Sequence, residues 1–136
     1  MLIRINTLNT LGGYNERLAI DGIDTDLCLR ANGIGIYSYQ ITNCFMQQRF
    51  GQTLIKTYRG KEYHYHVYPP QRLKSIVKSH IYLKRKYPIM SHEMRTNIRN
   101  RFIIDRIKNI IRFEDDKISK LFSVIMGMVE GNFMKL

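Results

Sequence analysis

The sequence has few cysteines, few acidic residues and no long apolar run. Its two cysteines, Cys28 and Cys44, fit no metal-ligand spacing, and no charged-then-apolar signal begins the chain. We therefore expect two buried thiols in a cytoplasmic protein. Crossing a bilayer takes about 20 apolar residues, and the nearest candidate is only Leu121 to Val129. Any contact with the inner face of the cell membrane is accordingly expected to be peripheral.

The charge is strongly positive and unevenly distributed. Twenty-two Lys and Arg residues face 11 Asp and Glu, which gives a formal net charge of +11 over 136 residues. Most of the excess lies between Arg72 and Arg112, where Glu93 and Asp105 are the only acidic residues. Such a surface fits a phosphate-rich partner, an anionic membrane or an acidic nucleotide-linked substrate, and the sign alone does not choose between them.

Local patterns predict a mixed amino-terminal part. Asp21 or Asp24 is a candidate cap for a helix that ends at Asn32-Gly33, where the glycine would be left-handed. We also expect a short strand at Leu2–Ile5 and a turn-rich loop at Asn9–Asn15. Two further β segments are expected at Gly35–Gln40 and Ile41–Gln47.

Apolar residues at helical spacing dominate the chain from Pro70 onward and predict three helices. The expected ranges are Gln71 to Tyr87, Ser91 to Arg112, and Asp115 or Asp116 to Val129. The predicted fold class is therefore α/β. We place the mixed part at residues 1–67 and a basic amphipathic helical region, packed on it, at residues 68–136.

Three carboxylates follow a glycine-rich loop and are the best candidates for chemistry. Gly12-Gly13 precedes Asp21, Asp24 and Asp26 by about ten residues. Clustered carboxylates at a loop invite a catalytic interpretation. Their spacing alone favours a structural one, in which Asp21 caps the helix and Asp24 is a first-turn acid stabilised by the helix dipole.

The whole string is more specific than the acids alone. It reads Leu-Gly-Gly-Tyr-Asn-Glu-Arg-Leu at 11–18, Ile-Asp-Gly-Ile-Asp-Thr-Asp-Leu-Cys-Leu-Arg at 20–30, and Asn-Gly at 32–33. It resembles the acceptor-side signature of family-2 glycosyltransferases, most closely their rhamnosyltransferase-like branch. A weaker resemblance continues through Tyr68-Pro69-Pro70 to the closing Leu121–Gly131 segment. The resemblance implies the carboxyl-terminal half of a GT-A-like nucleotide-diphospho-sugar transferase domain, here with few strands.

The resemblance also implies roles for the site residues. The aspartate that matches Asp24 is the general base, which takes the proton from an acceptor hydroxyl as it attacks the sugar in an inverting reaction. Asp21 and Asp26 would bind substrate or support the site, and Gly12-Gly13 would let the backbone approach the sugar. Arg30 is expected to form a structural ion pair or to take part in helix packing, and contact with a donor phosphate is the less favoured alternative.

Cofactor and partners follow from the same resemblance. A complete family member would use Mg²⁺ or Mn²⁺ held by its donor-binding half, and we expect no metal site in this chain. That half would precede this segment, on a separate chain if the gene is split, so the isolated chain is expected to be inactive. Gln48 also replaces a histidine common in the family, and Lys78-Ser79 replaces an Arg-Asn pair. The expected ligands are a nucleotide-sugar and a saccharide or lipid-linked acceptor of surface polysaccharide synthesis.

Two other features have simpler interpretations. His64 and His66 would point to the same side of a strand, but two imidazoles are too few for a metal site. The basic helices favour a solvated face or an anionic membrane surface. A non-catalytic basic module therefore remains the alternative to a transferase. Nucleic-acid binding is not favoured, because the sequence has no aromatic RNA-binding signature, zinc-finger spacing or basic heptad array.

Overall fold

Apolar residues at helical spacing fill the second half of the chain, and that half is almost entirely helical. A computed structural model describes residues 2–18, 21–39, 41–43, 45, 53–88 and 90–136. Within these ranges the protein is mixed α/β, mostly helical with a two-stranded antiparallel sheet. The elements are α1 (Ile5–Thr10), α2 (Ile23–Gly33), β1 (Thr53–Tyr58), β2 (Lys61–His66), α3 (Pro70–Lys86), α4 (His92–Arg99), a π segment (Asn100–Ile104), α5 (Asp105–Phe113) and α6 (Lys117–Phe133).

The amino-terminal predictions are confirmed for α2 and wrong for the first strand. Leu2 is almost fully exposed, and the chain enters α1 at Ile5. A strand there would need a neighbour for its backbone groups, and none of the described residues supplies one. Helix α2 begins after Gly22 with no side-chain cap, so the prediction that Asp21 or Asp24 caps it is wrong. The left-handed glycine that follows the helix is Gly35, with φ 78°, and not Gly33.

The sheet lies later in the chain than we predicted. Residues 35–39, 41–43 and 45 are not in strands, and the rest of the two predicted β segments, with Cys44 and Gln48, lies outside the described residues. Strands β1 and β2 pair from Thr53↔His66 to Tyr58↔Lys61. Arg59 and Gly60 join them with φ values of 51° and 73°. Two positive φ values in a two-residue loop match the twist of a hairpin.

The three helical predictions after Pro70 are confirmed with changed boundaries. Helix α3 begins at Pro70, whose fixed φ suits a first helical position. The second predicted helix is α4, the π segment and α5 in sequence, and Ser91 caps it by accepting a hydrogen bond from the Met94 amide at 3.2 Å. Helix α6 continues four residues beyond the predicted end, to Phe133.

Two apolar clusters form the core, and α3 contributes to both. The first joins the two predicted parts of the chain, because Leu18 packs with residues of α3 and α4. It contains Leu18, Tyr82, Leu83, Met90 and Ile98. The second joins α3 to α5 and α6, and contains Leu73, Val77, Ile110 and Val124. The first cluster therefore attaches the amino-terminal part to α3, and the second packs the helical region on itself.

Helix α6 packs on α3 through two glycines. A Cβ atom on Gly127 would lie 2.6 Å from the Lys74 carbonyl oxygen, and one on Gly131 would lie 2.8 Å from the Lys78 carbonyl oxygen. Both contacts advance along the two helices in the same direction, so α3 and α6 run parallel. The missing side chains let the two backbones approach closely.

Replacing Gly127 by alanine should lower the free energy of unfolding by about 1–3 kcal/mol, because the new methyl group overpacks the α3 contact. Gly33→Ala is the matched control, since a Cβ at this helical glycine meets open space. Denaturant unfolding followed by circular dichroism measures both. Equal stability of the two variants would contradict the close α3–α6 contact.

Candidate functional site

An open cleft lies beside the first turns of α2. Its volume is about 420 Å³, within the range of roughly 300–1,000 Å³ that small-molecule sites occupy. The acid at its edge is Asp24, an exposed residue of the first helical turn. The cleft is lined by Asp24, Thr25, Cys28, Leu29, Asn32, Tyr37, Ser38 and Met94.

The cleft combines one carboxylate with neutral polar groups. The Ser38 hydroxyl donates a hydrogen bond to the Cys28 sulfur at 3.2 Å, and the Cys28 side chain is half-buried rather than buried as predicted. Hydroxyl and amide groups of Thr25 and Asn32 can hydrogen-bond a polar ligand. The Asp24 carboxylate can accept a proton from one. The rest of the lining is largely apolar, so a hydroxyl-bearing ligand would meet only these few polar groups.

Asp26 lies two residues further on but points into the protein. It is 0% exposed and accepts hydrogen bonds from four side chains. One carboxylate oxygen, Oδ1, accepts from Tyr87 Oη at 2.7 Å, Lys86 Nζ at 2.8 Å and Asn15 Nδ2 at 3.2 Å. The other oxygen, Oδ2, accepts from Arg30 Nε at 2.8 Å. The predicted ion pair of Arg30 is therefore confirmed.

Protonation of Asp26 is opposed by this environment. Burial by itself would raise the pKa of the carboxyl, but the hydrogen bonds from Lys86, Tyr87 and Asn15 outweigh it and hold the pKa below its ordinary value. In the same way, the bond to Asp26 outweighs burial and raises the pKa of Lys86. Asp26 and Lys86 are thus both charged at neutral pH.

The same network anchors the glycine loop. Gly12 and Gly13 have φ values of 74° and 80°, a conformation that residues with a Cβ rarely adopt. The guanidinium of Arg30 donates to the Leu11 carbonyl immediately before them, and Asn15 bonds Asp26 shortly after them. Neither glycine lines the cleft, so both lie in a loop that the Asp26 network holds in place.

Asp21 lies on another side of the same helix start. One of its carboxylate oxygens, Oδ2, is buried and has no hydrogen-bond partner among the described residues. The next residue, Gly22, packs so closely that a Cβ there would lie 2.7 Å from the Leu83 side chain. Burial lowers the pKa of His80, and the nearby charge of Asp21 opposes this shift in part. The His80 ring stacks on that of Phe102, with the ring centroids 3.6 Å apart. Asp21 does not line the cleft.

The structure therefore separates the predicted site residues. Asp24 reaches the cleft, whereas Asp26 supports the loop from inside. Sequence reasoning missed Lys86 and Tyr87, which bond Asp26 from 60 and 61 residues away. It also missed Met94, which brings α4 to the cleft. Contacts at such separations leave no periodic signal in one sequence.

The chain was compared with protein-family models, with curated proteins and with solved structures, and no significant match was found.

Two further features bear on metals and membranes. His64 is exposed on β2 and His66 is half-buried, with its ring 6.2 Å from that of Tyr68. The described residues contain no group of three or more His, Cys, Asp or Glu side chains placed to hold a metal ion. None of the described helices is both long and apolar enough to cross a membrane.

Asp26→Asn should destabilise the fold by up to about 3 kcal/mol at pH 7, because Lys86 and Arg30 lose their buried counter-charge. Asp24→Asn, two residues away and exposed, should change the free energy of unfolding by less than about 0.5 kcal/mol. Urea unfolding of both variants and of the wild type tests the difference.

The pH dependence provides a second readout for Asp26. Because its folded pKa is depressed, its contribution is fully present above the unfolded value of about 3.8 and is lost as pH falls toward the lower folded pKa. Wild-type stability should therefore drop more steeply below pH 4 than that of Asp26→Asn. Parallel pH profiles would contradict the assignment.

Proposed function

We propose that this chain is the acceptor-side part of a GT-A-like family-2 glycosyltransferase, which moves a sugar from a nucleotide-sugar to a hydroxyl acceptor. The observation that carries the proposal is that the two aspartates of α2 occupy different environments, one exposed and one buried. Asp24 is exposed at the edge of a cleft of suitable size, while Asp26 and Arg30 hold the preceding glycine loop. The resemblance of residues 11–33 to the family signature points to the same aspartate.

In this proposal Asp24 acts as the general base. An inverting transfer forms one bond, from the acceptor oxygen to the anomeric carbon, and breaks another, from that carbon to the nucleoside diphosphate. The acceptor hydroxyl loses its proton as it attacks, and a carboxylate within hydrogen-bond reach takes that proton. An exposed aspartate at the edge of a cleft can meet an incoming hydroxyl in this way, whereas the buried Asp26 cannot.

In this proposal the nucleotide-sugar donor binds to a separate donor-binding half and not in the Asp24 cleft. A donor-binding half with Mg²⁺ or Mn²⁺ would neutralise the departing diphosphate, as the family resemblance implies. The described residues include no group of three or more His, Cys, Asp or Glu placed to hold such a metal. The role that the proposal gives to this chain is to bind the acceptor and to deprotonate it.

Asp24→Asn should lower turnover by about 10²–10⁴-fold and leave nucleotide-sugar binding nearly unchanged, because the variant keeps its shape but loses the base. The assay uses the chain together with its donor-binding half, with deoxythymidine-diphosphate-rhamnose and uridine-diphosphate sugars in Mg²⁺ or Mn²⁺. Asp115→Asn, an exposed acid that does not line the cleft, is the control. Retained turnover in Asp24→Asn would refute the role of this residue.

A second candidate function, a basic module that binds an anionic membrane, is favoured by the outer face of α6. Large apolar side chains recur there at spacings of three and four residues, which places them on one side of the helix. They are all more than 40% exposed, and comprise Ile118, Phe122, Ile125, Val129 and Phe133. Inward, the helix presents small residues such as Gly127 and Gly131.

Helix α6 is apolar on both sides, because Val124, Leu121 and Met128 pack into the core cluster while the large side chains of the outer face stay exposed. The outer face is thus an apolar surface that water solvates poorly. On a chain with a net charge of +11, the outer face of α6 suits insertion into the headgroup layer of an anionic bilayer. The proposed transferase could act at the same surface.

Ile118→Glu combined with Ile125→Glu should weaken binding to vesicles of phosphatidylcholine and phosphatidylglycerol by at least about tenfold, because both side chains leave the proposed insertion face. Leu2→Glu with Ile5→Glu makes the same change of charge at exposed apolar positions of another segment. Vesicle co-sedimentation compares the two. Equal weakening would attribute binding to net charge and remove α6 as the contact.

A further inference from the structure

A second, smaller pocket lies between the end of α3 and the outer side of α4. Its volume is about 210 Å³. Four of its five lining residues lie on α4 at positions i, i+3, i+4 and i+7, which share one face of a helix. The fifth is at the end of α3. The lining consists of Lys84, His92, Arg95, Thr96 and Arg99.

The chemistry of this pocket is one-sided. Lys84, Arg95 and Arg99 are basic side chains, and none of the described acidic residues forms an ion pair with them. Elsewhere on the helices, lysines and arginines do find acids, as Lys74 does with Glu130 at 2.6 Å. Cations gathered without a counter-charge repel one another, and this repulsion is relieved by a bound anion.

The side chains of the pocket are partly pre-positioned. Arg95 is half-buried, and its guanidinium donates a hydrogen bond to the Pro88 carbonyl at 3.3 Å. The Arg99 guanidinium donates to the Asn100 side chain at 3.4 Å. A guanidinium held in this way keeps further N–H donors for a ligand, and its planar fork matches the oxygens of phosphate. The Thr96 hydroxyl adds a neutral donor.

We infer that Lys84, His92, Arg95, Thr96 and Arg99 bind a phosphate or diphosphate group. At about 210 Å³ the pocket is smaller than most sites for whole organic ligands, so it fits the charged group and leaves the remainder of the ligand outside. Met94, two residues after His92, lines the Asp24 cleft, and side chains two positions apart on a helix point about 200° apart. The phosphate pocket and the cleft therefore lie on different sides of α4. The inference stands on the pocket itself and does not need the transferase proposal.

The test is calorimetric titration of the full chain with inorganic pyrophosphate at fixed ionic strength. Arg95→Gln combined with Arg99→Gln should weaken binding by about tenfold or more, the effect of losing one or two charge-assisted hydrogen bonds. Arg101→Gln with Arg112→Gln removes the same charge from exposed positions outside the pocket, and should change affinity by less than about threefold. Lys84→Gln serves if Arg95→Gln unfolds the chain, as judged by circular dichroism.

A second arm uses vesicles of phosphatidylcholine with phosphatidic acid, which carries a phosphate monoester. Pyrophosphate binding that only the pocket variants lose supports a site for a free phosphate group. Vesicle binding alone, lost in those same variants, supports a site for a phospholipid headgroup. Equal losses in the pocket and control variants, or no binding in either arm, would overturn the inference.

Discussion

The carboxylate of Asp26 is the contact on which the amino-terminal part of the structure depends. It collects four donors from three segments of chain, namely the loop at Asn15, helix α2 at Arg30, and the end of α3 at Lys86 and Tyr87. A fully buried carboxylate is stable only when its charge and its lone pairs are satisfied, so these segments must meet there together. The Asp26 contacts thus fasten the glycine loop and α2 to the end of α3.

This arrangement also explains why two aspartates separated by one residue differ so much. Side chains two positions apart on a helix point in directions that differ by about 200°, so Asp26 faces inward and Asp24 outward. The inward acid is neutralised by cations, and the outward acid is left to solvent and to the cleft. Any chemistry proposed for this helix must therefore use Asp24. For the same reason, Asp24 and Asp26 cannot both ligate one metal ion within the helix.

Sequence reasoning succeeded where local rules govern the outcome. The ranges of α2 and α3 follow from apolar spacing and from proline and glycine positions, and the structure confirms them within a few residues. It failed at strands, because Leu2–Ile5 has no partner strand in the described residues and the hairpin at residues 53–66 is defined by its pairing. For the site, the sequence singled out the acids and could not say which one is exposed. That difference depends on Lys86 and Tyr87, which are distant in sequence.

The π segment at Asn100–Ile104 determines which residues of the longest helical stretch face the core. Ile98 and Ile110 are both buried, yet they are twelve residues apart. In an uninterrupted α-helix, at about 100° per residue, they would point about 120° apart around the axis. A π turn holds one residue more than an α-turn, which removes about 100° and brings both onto one side. The stretch is thus equivalent to an α-helix with a single-residue insertion, and that insertion lets Ile98 and Ile110 enter two separate clusters that both include residues of α3.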